Sequence, residues 1–396
     1  MTKRFQRFPK IVTACLSVAT VASLAACGSI PEPKKSDLSQ TSVVTLTQEE
    51  KIRSRVIKDV VSADANQDVD ALAKYAEGPE LAVRTAQLTI AKATKKLDPA
   101  ATIPTGYQQL VVPVESRWPR SLYTITSPTE DRQTARILVF SQDSARTNYK
   151  LWGLVRMLPG VTMPTFAIQA PATAKSSETN YPNHEGTADE DGLIMTPQEA
   201  VKAYADYLQK GTSSSNASKF DKDAFSTEMQ KLTTVIDQGI KKNGGSQRQE
   251  YSFRKGAIRV LVTSRTSNAS KATLGALVIA EIDSTWTRTA GKDRKSLPIS
   301  DSEKALFGQQ DGKQSIEADY VNVVALYVPF KGDKTNTVIR CVGSERVPVS
   351  VQAKRRRAPC EFFRSGGSAR LPFRLSDKPA LPWPAIKEKR KEAFDG

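Results

Sequence analysis

Apolar positions along this chain follow two different periods, and the change from one to the other happens twice. Ile52, Val56 and Val60 keep the i, i+4 spacing of an amphipathic helix, and Thr47-Gln48-Glu49-Glu50 ahead of them reads as a T-x-x-E capping box. Helical patterns run to about Lys96 and give way to β-rich stretches at 108–114, 121–126, 135–141 and 149–158. A second box, Thr196-Pro197-Gln198-Glu199, carries proline at the first helical position and precedes Val201, Tyr204, Ala205 and Leu208. Helical patterns then reach about Lys241, followed by β-rich stretches at 251–263, 272–289, 320–330 and 336–351. Helices first and strands afterwards, in both units, predicts an α+β fold with antiparallel sheets, not alternating βαβ units. Between the units, 171–192 is rich in Thr, Ser, Asn, Pro, Gly and acids and reads as a polar linker.

Ahead of the first unit the pattern is of another kind. Lys3, Arg4, Arg7 and Lys10 stand without an acid among them, and residues 11–26 are apolar, diluted by Thr13, Ser17, Thr20 and Ser23. A finished membrane span needs roughly 20 predominantly apolar residues, so this shorter run reads as a secretory signal peptide. Leu24-Ala25-Ala26-Cys27-Gly28 resembles the lipobox of bacterial lipoproteins. That resemblance implies a diacylglycerol thioether on Cys27, removal of 1–26, and a chain held on the extracytoplasmic face of the cell membrane with 27–44 as tether. At ~3.3 Å per residue, the stretch from Cys27 to the helix start at Thr47 reaches at most roughly 65 Å.

A two-helix start, one long bent sheet and a unit of ordinary domain length resemble the NTF2-like or cystatin-like cone. Local wording also resembles an uncharacterised family of actinobacterial exported proteins, through Gly78-Pro79-Glu80-Leu81-Ala82-Val83-Arg84, Trp118-Pro119-Arg120, Tyr149-Lys150-Leu151-Trp152 and Leu158-Pro159-Gly160-Val161. The resemblance covers about 45–350 and is silent on activity. It implies two tandem cone-like domains, 45–170 and 193–353, each with helices followed by a curved antiparallel sheet. The tail 354–396, rich in Arg, Lys, Pro and aromatics, departs from that pattern and reads as partly disordered.

Charge adds little to this picture once it is located. The formal net charge is +16, of which the signal carries +4 and the tail +7, leaving +5 on the remainder. With no RNP, helix-turn-helix or zinc-finger pattern, the basic balance suits anionic envelope polymers or lipid headgroups better than nucleic acid. Of the four cysteines, Cys15 leaves with the signal and Cys27 is the lipidation site, so Cys341 and Cys360 remain to form a disulfide or stay free. A single histidine and so few thiols give no His/Cys metal site, and no cofactor is expected.

Candidate chemistry is sparse. Asp64, Asn66, Asp68 and Asp70 alternate like a calcium loop, but Val69 and Tyr75 stand where that loop needs glycine and a bidentate glutamate; a turn capped by Asp68 is the simpler reading. His184, within the linker, reads as a solvated side chain. No G-x-S-x-G elbow or phosphate loop is present. Glu281 and Asp283 share a strand face, with Trp286 on the other, and are the acid pair a glycan-cleaving enzyme would use, or simply a solvent face. Trp118, Tyr149, Trp152, Trp286, Tyr320 and Tyr327 are the aromatics that would line the mouth of a cone, or else pack its core. The expectation is a non-catalytic binding or assembly module of the cell envelope. The alternatives are an envelope enzyme acting on glycans or lipids, and the solute-binding lipoprotein of a transporter, which would need parallel βαβ lobes.

Overall fold

A computed structural model of the chain describes residues 42–115, 117–129, 133–161, 163, 183–263 and 275–354. The expected signal peptide, Cys27, most of the expected tether, 171–182 and the tail with Cys360 lie outside the described residues. The described residues all fall within one compact unit.

The first half supplies α1 (Leu46–Asn66), α2 (Val69–Tyr75) and α3 (Gly78–Thr94), then β1 (Tyr107–Val111), β2 (Arg120–Thr126), β3 (Arg136–Gln142) and β4 (Lys150–Arg156). The second supplies β5 (His184–Glu185), α4 (Pro197–Lys210), α5 (Ala224–Lys242), β6 (Ser246–Val262), β7 (Gly275–Thr289), α6 (Asp301–Phe307), β8 (Ser315–Pro329) and β9 (Arg340–Lys354). All named strand pairs are antiparallel, in a four-stranded sheet ordered β1-β2-β3-β4 and a five-stranded sheet ordered β5-β6-β7-β8-β9. The α+β class follows, and the parallel lobes of a transporter receptor are not what these strands form.

Period-2 alternation decides how the layers stack. On the small sheet Leu122, Leu138, Phe140, Leu151 and Leu154 face Val56, Val60, Leu72 and Leu88 of the first three helices. The opposite face, with Tyr123, Ile125, Ile137, Val139 and Val155, packs on Leu277, Ile279, Val321 and Val323 of the large sheet. The far face of the large sheet, through Val260, Val278, Val324 and Leu326, takes up Val201, Tyr204 and Leu208 of α4 and Phe225 and Met229 of α5. The order is therefore helices, sheet, sheet, helices, and the two halves share one inter-sheet core.

Isolated bridges join the sheets along both lateral edges. Met157 pairs with Gly343, and Leu158 N donates to Val342 O at 2.9 Å, tying β4 to β9. Val114 pairs with His184, tying the chain after β1 to β5. The stretch expected to be a plain linker thus includes a short strand that closes the sandwich.

Strand lengths explain the rest of the surface. At roughly 3.4 Å per residue the fifteen-residue β7 and β8 are about 50 Å long, twice the reach of the seven-residue β2, β3 and β4. The small sheet covers only part of the large one. Beyond it the same face carries Asp283, Thr285, Thr287, Asp319 and Glu317, all partly exposed.

Helix starts are set by caps. At α4 the Thr196 and Glu199 box forms as expected, with Thr196 N donating to Glu199 Oε2 at 3.2 Å. Asp68 caps α2 by accepting from Ala71 N at 3.0 Å, while Asp64 lies 3.3 Å from the Arg84 guanidinium. The expected box at Thr47 is corrected: the N-cap is Thr45, paired reciprocally with Gln48. Thr45 and Gln48 hold the same box spacing two residues earlier and close it there, while Glu49 pairs one turn on with Arg53 at 2.9 Å, both buried.

Candidate functional site

A cleft of about 420 Å³ opens where the two halves meet beside the β4–β9 bridge. Its floor is built by Tyr327 of β8 and Arg340, Cys341 and Val342 of β9, and one wall by Leu158, Pro159, Gly160 and Val161 after β4. Gly160 takes φ +76°, a left-handed turn that a side chain would strain. The other wall is Asp221-Lys222-Asp223-Ala224. Backbone bonds from Asp221 N to Ile339 O (2.8 Å) and from Ile339 N to Lys219 O (2.9 Å) hold that segment to β9.

The charged groups of the cleft differ in what they can do. Asp223 is buried as the N-cap of α5, accepting from Ser226 N at 2.7 Å, Ser226 Oγ at 2.8 Å and Tyr204 OH at 3.1 Å. Burial raises its carboxyl above the usual aspartate range against those bonds. Arg340 lies over the Tyr327 ring at 5.8 Å and donates to Asn336 Oδ1. Burial pushes the Tyr327 hydroxyl to about 12. Asp221 and Lys222 stay exposed. The mouth therefore offers one exposed acid, Asp221, and two exposed basic side chains, Lys222 and Arg340, to a ligand, and the deeper acid is spent on capping.

Cys341 is a free thiol, 3% exposed, that donates to Gly343 O at 3.4 Å. Burial lifts its pKa far above that of an ordinary cysteine, so it is held as the unreactive thiol. Its expected partner in a disulfide, Cys360, lies outside the described residues.

The acid pair Glu281 and Asp283 does share one strand face, opposite Trp286, on the part of the large sheet beyond the small one. Arg254 lies between them, its Nε 2.9 Å from Glu281 Oε1 and its Nη2 3.0 Å from Asp283 Oδ1. Burial raises the Glu281 carboxyl, with Arg254 opposing and Asp283 adding to the rise. A glycosidase pair needs open space for the sugar between its carboxyls. Here a guanidinium fills it and pins the irregular stretch between Phe253 and Ile258 of β6.

The six singled-out aromatics are dispersed. Trp152 packs in the inter-sheet core with the Arg259 guanidinium 4.6 Å from its ring. Trp286 and Tyr320 lie on the helix face at the opposite end of the large sheet, where Trp286 Nε1 donates to Gln247 at 2.8 Å and Tyr320 OH donates to Glu303. Tyr149 is buried against the first three helices, its hydroxyl raised to about 12 by burial. Trp118 is 37% exposed under Arg120. Only Tyr327 belongs to the cleft.

Sequence reasoning passed over two features. The cleft walls have local signals, a Pro-Gly turn and an Asp N-cap, but nothing local says that they meet. Glu185, next to His184 in the expected linker, is buried between the sheets. It accepts from Ser121 Oγ at 2.7 Å and from Tyr123 OH at 3.3 Å. Burial raises its carboxyl to about 7, opposed by those bonds and by Arg259. His184 itself is half exposed, 3.7 Å from Glu190.

Among the described residues no group of three His, Cys, Asp or Glu side chains is placed to hold a metal, and no helix is long and apolar enough to cross a membrane. The sequence pattern of the family described as Domain of unknown function (DUF8094) matches residues 41–347. The chain belongs to that family. The match takes in the small sheet, β5 to β8, the cleft and the first half of β9. No curated protein and no solved structure matches the chain.

Proposed function

We propose that this protein is a lipid-anchored binding module on the extracytoplasmic face of the cell membrane, engaging an envelope partner or polymer through the cleft beside the β4–β9 bridge and catalysing no reaction. The observation that carries this reading is where the cleft opens relative to the start of the folded body. Ser42 pairs with Val114, and Val114 with His184. His184, Val262, Ala276 and Val328 stand in register across the large sheet, next to Tyr327 and Arg340. The tether therefore joins the body at the same strand ends as the cleft. With the chain pinned at Ser42 and not at Thr47, the reach from Cys27 falls to about 50 Å. A mixed-charge mouth with an inert thiol and an acid occupied in capping supports binding over chemistry.

A photo-crosslinking side chain placed at Lys222 in the full chain tests this in intact cells. The expected result is a discrete crosslinked species that Arg340→Glu abolishes and that needs membrane attachment through Cys27. Crosslinks no stronger than from a distant surface position, or lipid labelling unchanged in Cys27→Ala, would refute the proposal.

A further inference from the structure

The large sheet ends on one side in β6, and β5 covers only its last residues, pairing His184 with Val262 and Glu185 with Leu261. Among the described residues no strand pairs with the outer edge of β6 from Ser246 to Phe253. The direction of its backbone groups follows from two bonds. Gly186 N donates to Val260 O at 2.8 Å, and Tyr251 N donates outward to the Gln209 side chain at 3.1 Å. Through the irregularity between Phe253 and Ile258, the residues opposite even positions of β7 are the ones facing outward, which on this stretch are Gln247, Gln249, Tyr251 and Phe253. Side chains of the alternate residues, Arg248 and Glu250, project from the opposite face, exposed and paired with each other.

Edge strands usually carry charge that repels another strand. Here the two charges are opposite and two residues apart, which makes the edge complementary to itself. Antiparallel pairing of two copies with Gln249 opposite Gln249 sets Gln247 opposite Tyr251, both outward-facing. Arg248 of each copy then stands opposite Glu250 of the other. Shifting the centre to Tyr251 would set Arg248 opposite Arg254, like against like. Only the centre at Gln249 joins the outward backbone groups and matches both charges.

We propose that a second copy of this chain docks on β6, edge to edge and antiparallel about Gln249, forming one continuous sheet across two molecules. Arg248 and Glu250 exchange their pairing within the strand, and Tyr251 N its bond to the Gln209 side chain, for pairing across to the second copy. The contact is limited at one end by the Gly244–Gly245 turn and at the other by the irregularity that Arg254 pins, so it is short, and confinement of both copies to one membrane would favour it.

The test is sedimentation equilibrium of the full chain in detergent over a concentration series. Wild type should associate to a dimer, more weakly as salt rises. Glu250→Arg sets arginine against arginine twice and should weaken association at least about tenfold. The double variant Arg248→Glu/Glu250→Arg restores opposite charges in the same register and should return association to within about threefold of wild type. These positions are exposed, so folding is not at stake. A wild type that stays monomeric, a Glu250→Arg variant that associates like wild type, or a double variant as weak as the single one would each overturn the proposal.

Discussion

Replacing Glu185 by Gln removes one ionisable group from the space between the sheets and keeps its shape. The wild-type carboxyl is raised from 4.5 to about 7 because burial outweighs the help of Ser121, Arg259 and Tyr123. Between those values the folded chain holds a proton that the unfolded chain has lost. The stability tied to that proton is present in full below pH 4.5 and disappears as pH rises to about 7. The rise from 4.5 to about 7, at ~1.4 kcal/mol per tenfold change in proton affinity, sets the loss at about 3–4 kcal/mol. Glutamine accepts from Ser121 and Tyr123 without ionising. The variant should therefore match wild type within about 1 kcal/mol at pH 4.5 and exceed it by about 2–3 kcal/mol at pH 8. Urea unfolding followed by tryptophan fluorescence at both pH values measures the difference directly, since Trp152 lies in the same inter-sheet core. A stability difference that does not change between pH 4.5 and 8 would mean that Glu185 ionises at its ordinary pKa. The hydrogen bonds from Ser121 and Tyr123 and the Arg259 charge would then offset burial in full, against the expectation.

Two further perturbations test the packing that the site depends on. A Cβ added to Gly343 would meet Arg156 O at 2.9 Å and Val155 Cγ1 at 3.0 Å across the β4–β9 bridge. Gly343→Ala should thus cost about 1–3 kcal/mol in urea unfolding and raise amide exchange at Leu158; unchanged exchange there would show that the bridge absorbs a methyl. The fully buried Arg288 and Glu303 pair through the guanidinium Nη1 and Glu303 Oε1 at 3.0 Å, with Tyr320 OH on the same carboxylate. Glu303→Gln leaves the arginine charge uncompensated and should cost about 3–5 kcal/mol in thermal unfolding, whereas a loss under about 1 kcal/mol would mean that water reaches Arg288.

What the sequence determined by itself is what local contacts determine. The Thr196 and Glu199 box closes over three residues, Asp68 caps the helix it precedes, and alternation along β7 places Glu281 and Asp283 opposite Trp286 whatever the surroundings. The α+β class followed from the order of these elements, but α6 was not legible: it is seven residues long, too short for a helical period to stand out, and its Glu303 is held by Arg288 and Tyr320 from distant strands. Tertiary structure alone decided what covers each face. Period 2 says that Ile279 and Glu281 point the same way. It does not say that the small sheet reaches Ile279 and that Arg254 meets Glu281. Composition made His184 and Glu185 a linker, because two residues cannot announce a strand; pairing with Val262 and Leu261 made them one and buried a carboxylate between sheets. Aromatic residues were countable in the sequence, but whether they gather depends on which strand ends meet, and in this protein they are divided among separate layers. The cleft exists for the same reason. Its walls come from a turn after β4, a helix cap and two strands, and only the bridge from Met157 to Gly343, nearly two hundred residues apart, brings them together.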